Sequence, residues 1–255
     1  MNLRALVAEA VGTFILITFG FLGVATVSLL TQGQGDRLIA ILVVPFSFGL
    51  GLMAAIGIGG HASGGHYNPA VTLAALFDGR VTVVSAIGYV VAQILGGLAA
   101  TLGVLVISSM TIIEMTVNQP GAMAPGVLAQ ELHSFSAEVV LTAVFVAVIL
   151  TVSRNSPQQA ILVIPFTLVA IHYAGMHISG ASVNPVRSLA PAVVSGTYES
   201  LWVYLTAPFV GSILGWGIYR LLMSPNDDVS VEIDDDYLDD DLDEIIVEEE
   251  TRQAI

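Results

Sequence analysis

Apolar residues run almost without interruption through six stretches of the chain, about 5–30, 38–59, 81–108, 133–153, 159–176 and 201–223. A helix needs roughly 20 such residues to cross a bilayer core, so the pattern predicts six membrane spans. The first span follows Arg4 too closely and runs too long for a cleaved signal peptide. Pro45 and Pro165 fall inside predicted spans, where neighbouring helices can satisfy the backbone groups a proline frees. The Gly96-Gly97 pair permits close helix approach. Two further stretches, 60–78 and 177–195, break the pattern. Each joins a segment rich in Gly, Ser and His to a short apolar run that cannot cross alone. Irregular backbone at membrane depth is tolerated only where protein buries it or an aqueous cavity borders it.

The two interruptions hold corresponding places in two three-span halves, about 1–110 and 130–224. Ser63-Gly64-Gly65-His66-Tyr67-Asn68-Pro69-Ala70 parallels Ser179-Gly180-Ala181-Ser182-Val183-Asn184-Pro185-Val186. Ala8-Glu9 with Thr13 parallels Ala137-Glu138 with Thr142. Because each half has an odd number of spans, the second is inverted in the membrane. Inverted repeats with matching interrupted segments point to a pathway at the bilayer midplane. The expected fold is therefore an all-α membrane protein of six transmembrane helices and two re-entrant half-helices, in two inverted repeats.

Proline suits the first turn of a helix, where its missing N–H has no partner to lose, and Asn is a favoured N-cap before it. Asn68-Pro69 and Asn184-Pro185 each read as the start of a half-helix. Inversion brings the two N-termini together, and their dipoles make that point electropositive. The Asn amides are expected to donate into a pore, while the segments before them, Gly64, Gly65 and His66 in one half and Gly180 and Ser182 in the other, offer carbonyl acceptors. Such a path holds a file of water and opposes cations. A lone Asn-Pro is commonly just a turn; two copies at matched places argue otherwise.

Composition agrees. The chain is 55% hydrophobic and 11% charged, with mean hydropathy +0.84, against about 25% charged in a soluble domain. The absence of cysteine excludes disulfides, thiolate metal sites and a Cys nucleophile. The net charge of −14 is uneven: residues 225–255 hold 14 of the 21 acids, leaving residues 1–224 nearly neutral. No basic stripe exists for nucleic acid. Lysine is absent, which fits a salt-adapted source or simply short membrane loops. The acidic segment reads as a disordered cytoplasmic tail, although Ile233, Leu238, Leu242 and Ile245 leave a partner-binding helix open. Arg4, Arg80, Arg154 and Arg220 fall on one side of the predicted spans and Arg37 on the other, which places both termini in the cytoplasm.

Residues 1 to about 223 resemble the major intrinsic protein family, the aquaporins and aquaglyceroporins. Ser-Gly-Gly-His-Tyr-Asn-Pro-Ala-Val-Thr at 63–72 is similar to the family's first half-helix, and Asn-Pro-Val-Arg-Ser at 184–188 to its second, with Val186 where the family usually has Ala. The resemblance implies a passive water channel in the cell membrane, a homotetramer with one pore per protomer, and no cofactor or metal. It also implies a selectivity filter of Phe48, His172, Ala181 and Arg187. In that filter Phe48 forms an apolar wall, His172 narrows the opening and Arg187 supplies fixed donors and charge. His172 and Ser188 favour water, whereas Leu205, following Tyr204, looks more like a glycerol facilitator. The family's equivalents of Glu9 and Glu138 brace the half-helix loops; a proton-relay role is the alternative. His66 matches a pore-lining position, and Gln93 reads as a satisfied helix-packing amide. The histidines His61, His66, His133, His172 and His177 are scattered, so no enzyme or metal site is expected. The rival of a different class is a secondary transporter, which also uses broken helices and inverted repeats but needs a coupling group in its path.

Overall fold

The computed structural model describes residues 2–33, 37–122 and 124–223. Met1–Tyr219 form one compact unit; residues 220–255 form a second, of which 220–223 are described. The acidic segment 225–255 lies outside the described residues.

Among the described residues there are nine helices and no strand. Six are long and apolar enough to cross a membrane: α1 (Leu3–Leu30), α2 (Arg37–Ser63), α4 (Val83–Ile107), α6 (Val127–Asn155), α7 (Pro157–Ser179) and α9 (Leu201–Leu222). The half-helices are α3 (Pro69–Phe77) and α8 (Pro185–Ser195). A short helix, α5 (Met110–Thr116), is new: it follows span three where the sequence pattern predicts only a connection. Helix α6 also starts earlier than the apolar run suggests, because Gly126, at φ 85°, turns the chain into a helix whose first residues are exposed.

The helix ends follow local chemistry. Asn2, Thr82 and Ser109 cap α1, α4 and α5 through side-chain oxygens. Proline opens α3, α7 and α8. Gly180 and Gly196 close α7 and α8 in the left-handed conformation that glycine adopts at least cost.

Polarity is arranged inside out. Leu29, Val106 and Leu3 are 79%, 84% and 74% exposed, whereas Glu9, Gln93 and Glu138 are fully buried. Lipid solvates the first set, and only specific partners can carry the second. Helix α1 packs along α2 and α4, α6 along α7, and α2 meets α7 across the halves. Glycines set the closest crossings. A Cβ on Gly96 of α4 would collide with the Ala10 carbonyl of α1, and one on Gly211 of α9 with the Val139 carbonyl of α6. Ala10 and Val139 each follow a buried glutamate, so the two crossings are the same joint used twice.

Candidate functional site

The two loops before the half-helices share an unusual backbone. Gly64, Gly65 and Tyr67 have φ of 92°, 70° and 50°; Gly180, Ala181 and Val183 have 81°, 48° and 46°. Left-handed backbone is unfavourable for L-residues, and especially for a β-branched valine. Buried carboxylates hold it in place. Glu9 Oε1 accepts from Ser63 Oγ (2.6 Å) and His66 N (2.9 Å), and Oε2 accepts from Tyr67 N (2.7 Å) and Gln93 Nε2 (2.7 Å). Glu138 Oε1 accepts from Ser179 Oγ and Ser182 N, and Oε2 from Val183 N, all at 2.7 Å.

Gln93 differs from the reading of it as a fully satisfied packing amide. Its Nε2 donates to Glu9 and also to Thr72 Oγ1 at 2.9 Å, while its Oε1 is buried without a partner. Sequence periodicity marks Gln93 only as a buried helical position.

At the centre the two halves exchange hydrogen bonds. Asn68 Nδ2 donates to the Val183 carbonyl at 2.7 Å, and Asn184 Nδ2 to the Tyr67 carbonyl at 3.0 Å. Each Asn Oδ1 caps its own half-helix, taking Ala70 N at 2.9 Å and Val186 N at 3.0 Å. An amide nitrogen carries two hydrogens, so these bonds leave one N–H on each Asn. The sequence suggests amides free to face a pore; the structure uses half of their donor capacity to fix the pair. Both residues border a cavity of about 400 Å³. Val186 fills the space a side chain on Gly97 would need, which is how the larger residue fits.

That cavity runs from His61 and Ser153 past Asn68 and Asn184 to Phe48, His172 and Arg187. Gly64, Gly65, His66 and Ser182 also line it. The His66 ring meets Tyr89 edge-on at 5.2 Å, and its Nδ1 lies 3.1 Å from Thr72 Oγ1. Beyond Arg187 lies a second cavity of about 380 Å³, bordered by Gly180, and a third of about 470 Å³ shares His172 with His177. Of the four expected filter residues, Arg187 is shared by the first and second cavities, His172 by the first and third, and Phe48 lines the first. Ala181 is fully buried beside Gly175 and lines none of the three cavities.

The neck is built by stacking. The Phe48 and His172 rings lie 4.7 Å apart at 19°, and the Arg187 guanidinium sits 5.1 Å from the Phe48 centroid and 5.8 Å from that of Phe21. Gly20 leaves the room the Phe48 ring occupies. His172 Nδ1 lies 2.9 Å from the Leu168 carbonyl, which can only accept. Nδ1 is therefore the donor, and Nε2 of the neutral ring is an acceptor; it has no protein partner. Arg187 Nη1 donates to the Thr116 carbonyl at 2.9 Å and to Asn118 Oδ1, while Nε has no protein partner. The neck therefore holds one unpaired acceptor, His172 Nε2, and the Arg187 N–H groups that Thr116 and Asn118 leave unused. Thr116 and Asn118 escape a reading by hydropathy because they lie in a stretch that looks like plain linker.

The comparisons with known proteins agree with this fold. The family described as Major intrinsic protein matches residues 1–219. The chain is 38% identical over 232 residues to Aquaporin Z of Photorhabdus laumondii, covering 87% of this chain and 98% of that protein. It is 36% identical to Glycerol uptake facilitator protein-like 6 of Lactiplantibacillus plantarum, covering 87% and 99%. The X-ray structure of the aquaglyceroporin from Plasmodium falciparum superposes with a TM-score of 0.75 at 22% identity, covering 89% of this chain and 99% of that one. A six-span bundle with two capped half-helices, matched along its length in sequence and fold, makes this chain a member of the major intrinsic protein family of membrane channels.

Proposed function

We infer that the chain conducts water in single file across a cell membrane and excludes protons, ions and glycerol. The observation that carries this reading is the neck: Arg187 N–H donors and the His172 Nε2 acceptor have no protein partner beside the Phe48 ring. A water molecule satisfies both, whereas a polyol also needs room for its carbon chain. The electropositive half-helix ends and the two Asn N–H groups oppose cations and orient each water so that it donates outward from the centre. The Gly64, Gly65, His66 and Ser182 backbone supplies acceptors along the path. The homotetramer and the cytoplasmic placement of both termini belong to the same proposal. Arg80 and Arg154 both reach the Tyr219 hydroxyl, at 3.4 and 3.3 Å, so these two arginines share one end of the bundle.

Stopped-flow light scattering on proteoliposomes tests the reading. Water efflux faster than in empty vesicles is expected, with no saturation, no dependence on an ion gradient and glycerol entry at the lipid background. Rapid glycerol entry would move the assignment to a glycerol facilitator, the reading that Leu205 and the similarity to a glycerol uptake facilitator favour. Saturating, gradient-driven flux would make it a transporter.

A further inference from the structure

We propose that Asn118, which lies outside the membrane spans and half-helices, positions Arg187 and so sets which solutes the neck admits; this rests on the channel reading above. The first half shows what the second lacks. There the hydroxyl four residues past the central Asn, Thr72, lies 3.1 Å from His66 Nδ1 and accepts from Gln93 Nε2, which also reaches Glu9. In the second half Ser188 lies 2.5 Å from Ser182, so the contact is kept with a serine in place of the His66 ring. The amide is not. The paired glycine joints match Gly96 with Gly211 and Tyr89 with Tyr204, which puts Pro208 of α9 where α4 carries Gln93. Proline has no side-chain donor or acceptor, and Glu138 accepts one hydrogen bond fewer than Glu9.

Asn118 meets the Ser188 hydroxyl from another direction, as an acceptor and without a bond to Glu138. It is 5% exposed. Its Oδ1 accepts from Ser188 Oγ at 2.8 Å and from Arg187 Nη1; its Nδ2 donates to the Ser179 carbonyl at 3.3 Å. A Cβ on Gly180 would collide with Nδ2. One side chain therefore ties the guanidinium, the start of α8 and the end of α7 to the segment after α5. With Asn118 gone, the Arg187 guanidinium keeps one hydrogen bond, to the Thr116 carbonyl, besides its contacts with the Phe48 and Phe21 rings, and it is less firmly held at the neck.

The test reconstitutes the full chain and measures permeability to water and to a series of linear polyols beginning with glycerol. For the shortest polyol that the wild-type channel excludes, Asn118→Ala is expected to raise the polyol-to-water ratio about tenfold, the loss of one charge-assisted hydrogen bond. Asn118→Asp keeps acceptors for Arg187 and Ser188 and should restore the wild-type ratio. In an Arg187→Val background Asn118→Ala should leave the ratio where Arg187→Val puts it. A purely structural residue would lower water and polyol flux together and leave the ratio fixed, which overturns the proposal. A further rise in the Arg187→Val background, or an Asp variant no better than Ala, overturns it too. The length of polyol at which the wild type cuts off tests the water reading; whether that cut-off moves tests Asn118.

Discussion

The two halves share one scaffold and differ in what they place on it. Each has a buried glutamate that gathers a serine and two backbone N–H groups, a loop with three left-handed residues, and an asparagine that caps its own half-helix while donating to the other half. The differences sit one step away from that core. Val71 in the first half stands where Arg187 stands in the second, Gln93 where Pro208 stands, and Ala70 where Val186 stands. Duplication explains the pathway through the centre, because two identical caps meeting head to head make a symmetric donor pair. Selection needs asymmetry, and the chain gathers it around Arg187, with His172 from the second half, Phe48 from the first and Asn118 from the segment between them. In the first half Gln93 joins the glutamate to the Thr72 hydroxyl; in the second the Ser188 hydroxyl is met by Asn118, a residue beyond the spans.

Removing the braces tests the shared part most severely. Glu9→Ala strands four donors, and a buried unsatisfied donor costs about 1–3 kcal/mol, against a typical folded margin of about 5–15 kcal/mol. Glu138→Ala strands three. Size-exclusion profiles of detergent-extracted protein are expected to show almost no folded Glu9→Ala and a reduced but measurable amount of Glu138→Ala. Equal yields would break the ranking of the halves.

The next effect concerns function. Arg187→Val combined with His172→Ala removes the donors and the acceptor at the neck. Glycerol entry should rise on the order of tenfold or more, and a pH-sensitive dye inside the vesicles should report a proton leak. Val71→Ala, the matching site in the first half, should change neither. If the double variant kept wild-type exclusion, the asymmetry would lie somewhere other than the neck.

Smaller effects probe how each half accommodates its own residue at the Ala70 and Val186 positions. Gly97→Ala forces a methyl into the space of the Val186 side chain, and overpacking of this kind costs about 1–3 kcal/mol. Adding Val186→Ala should return most of the lost thermal stability; no recovery would mean that the clash lies with Ile17 instead. The mildest change is Ser212→Ala, which deletes the 2.6 Å hydrogen bond to the Ala70 carbonyl. About 1 kcal/mol is expected to be lost, seen as a small drop in the melting midpoint with conduction retained.

Hydropathy alone announced the six spans, because only a long apolar helix satisfies its backbone in lipid. The Asn-Pro pairs announced the half-helices, because capping chemistry is local. The repeat placed Glu9 and Glu138 in matching roles, and resemblance to the family pointed to Phe48, His172 and Arg187. Other features depend on contacts between residues far apart in the chain. Helix α5 is too short to leave a periodic signal, and Thr116 and Asn118 gain their roles only when the segment after α5 folds onto α8. Ala181, expected in the filter, turns its buried methyl toward Gly175, because the left-handed turn and not the motif spacing sets where that side chain goes. Each Asn amide spends one N–H on the opposite half, which no reading of a single motif reveals. The sequence by itself determined the repeats, the spans and the caps, all of which follow from neighbours along the chain. Only the tertiary structure decided which oxygen holds Arg187 and which polar atoms at the neck stay free, because those depend on packing the second half against a segment beyond its own helices.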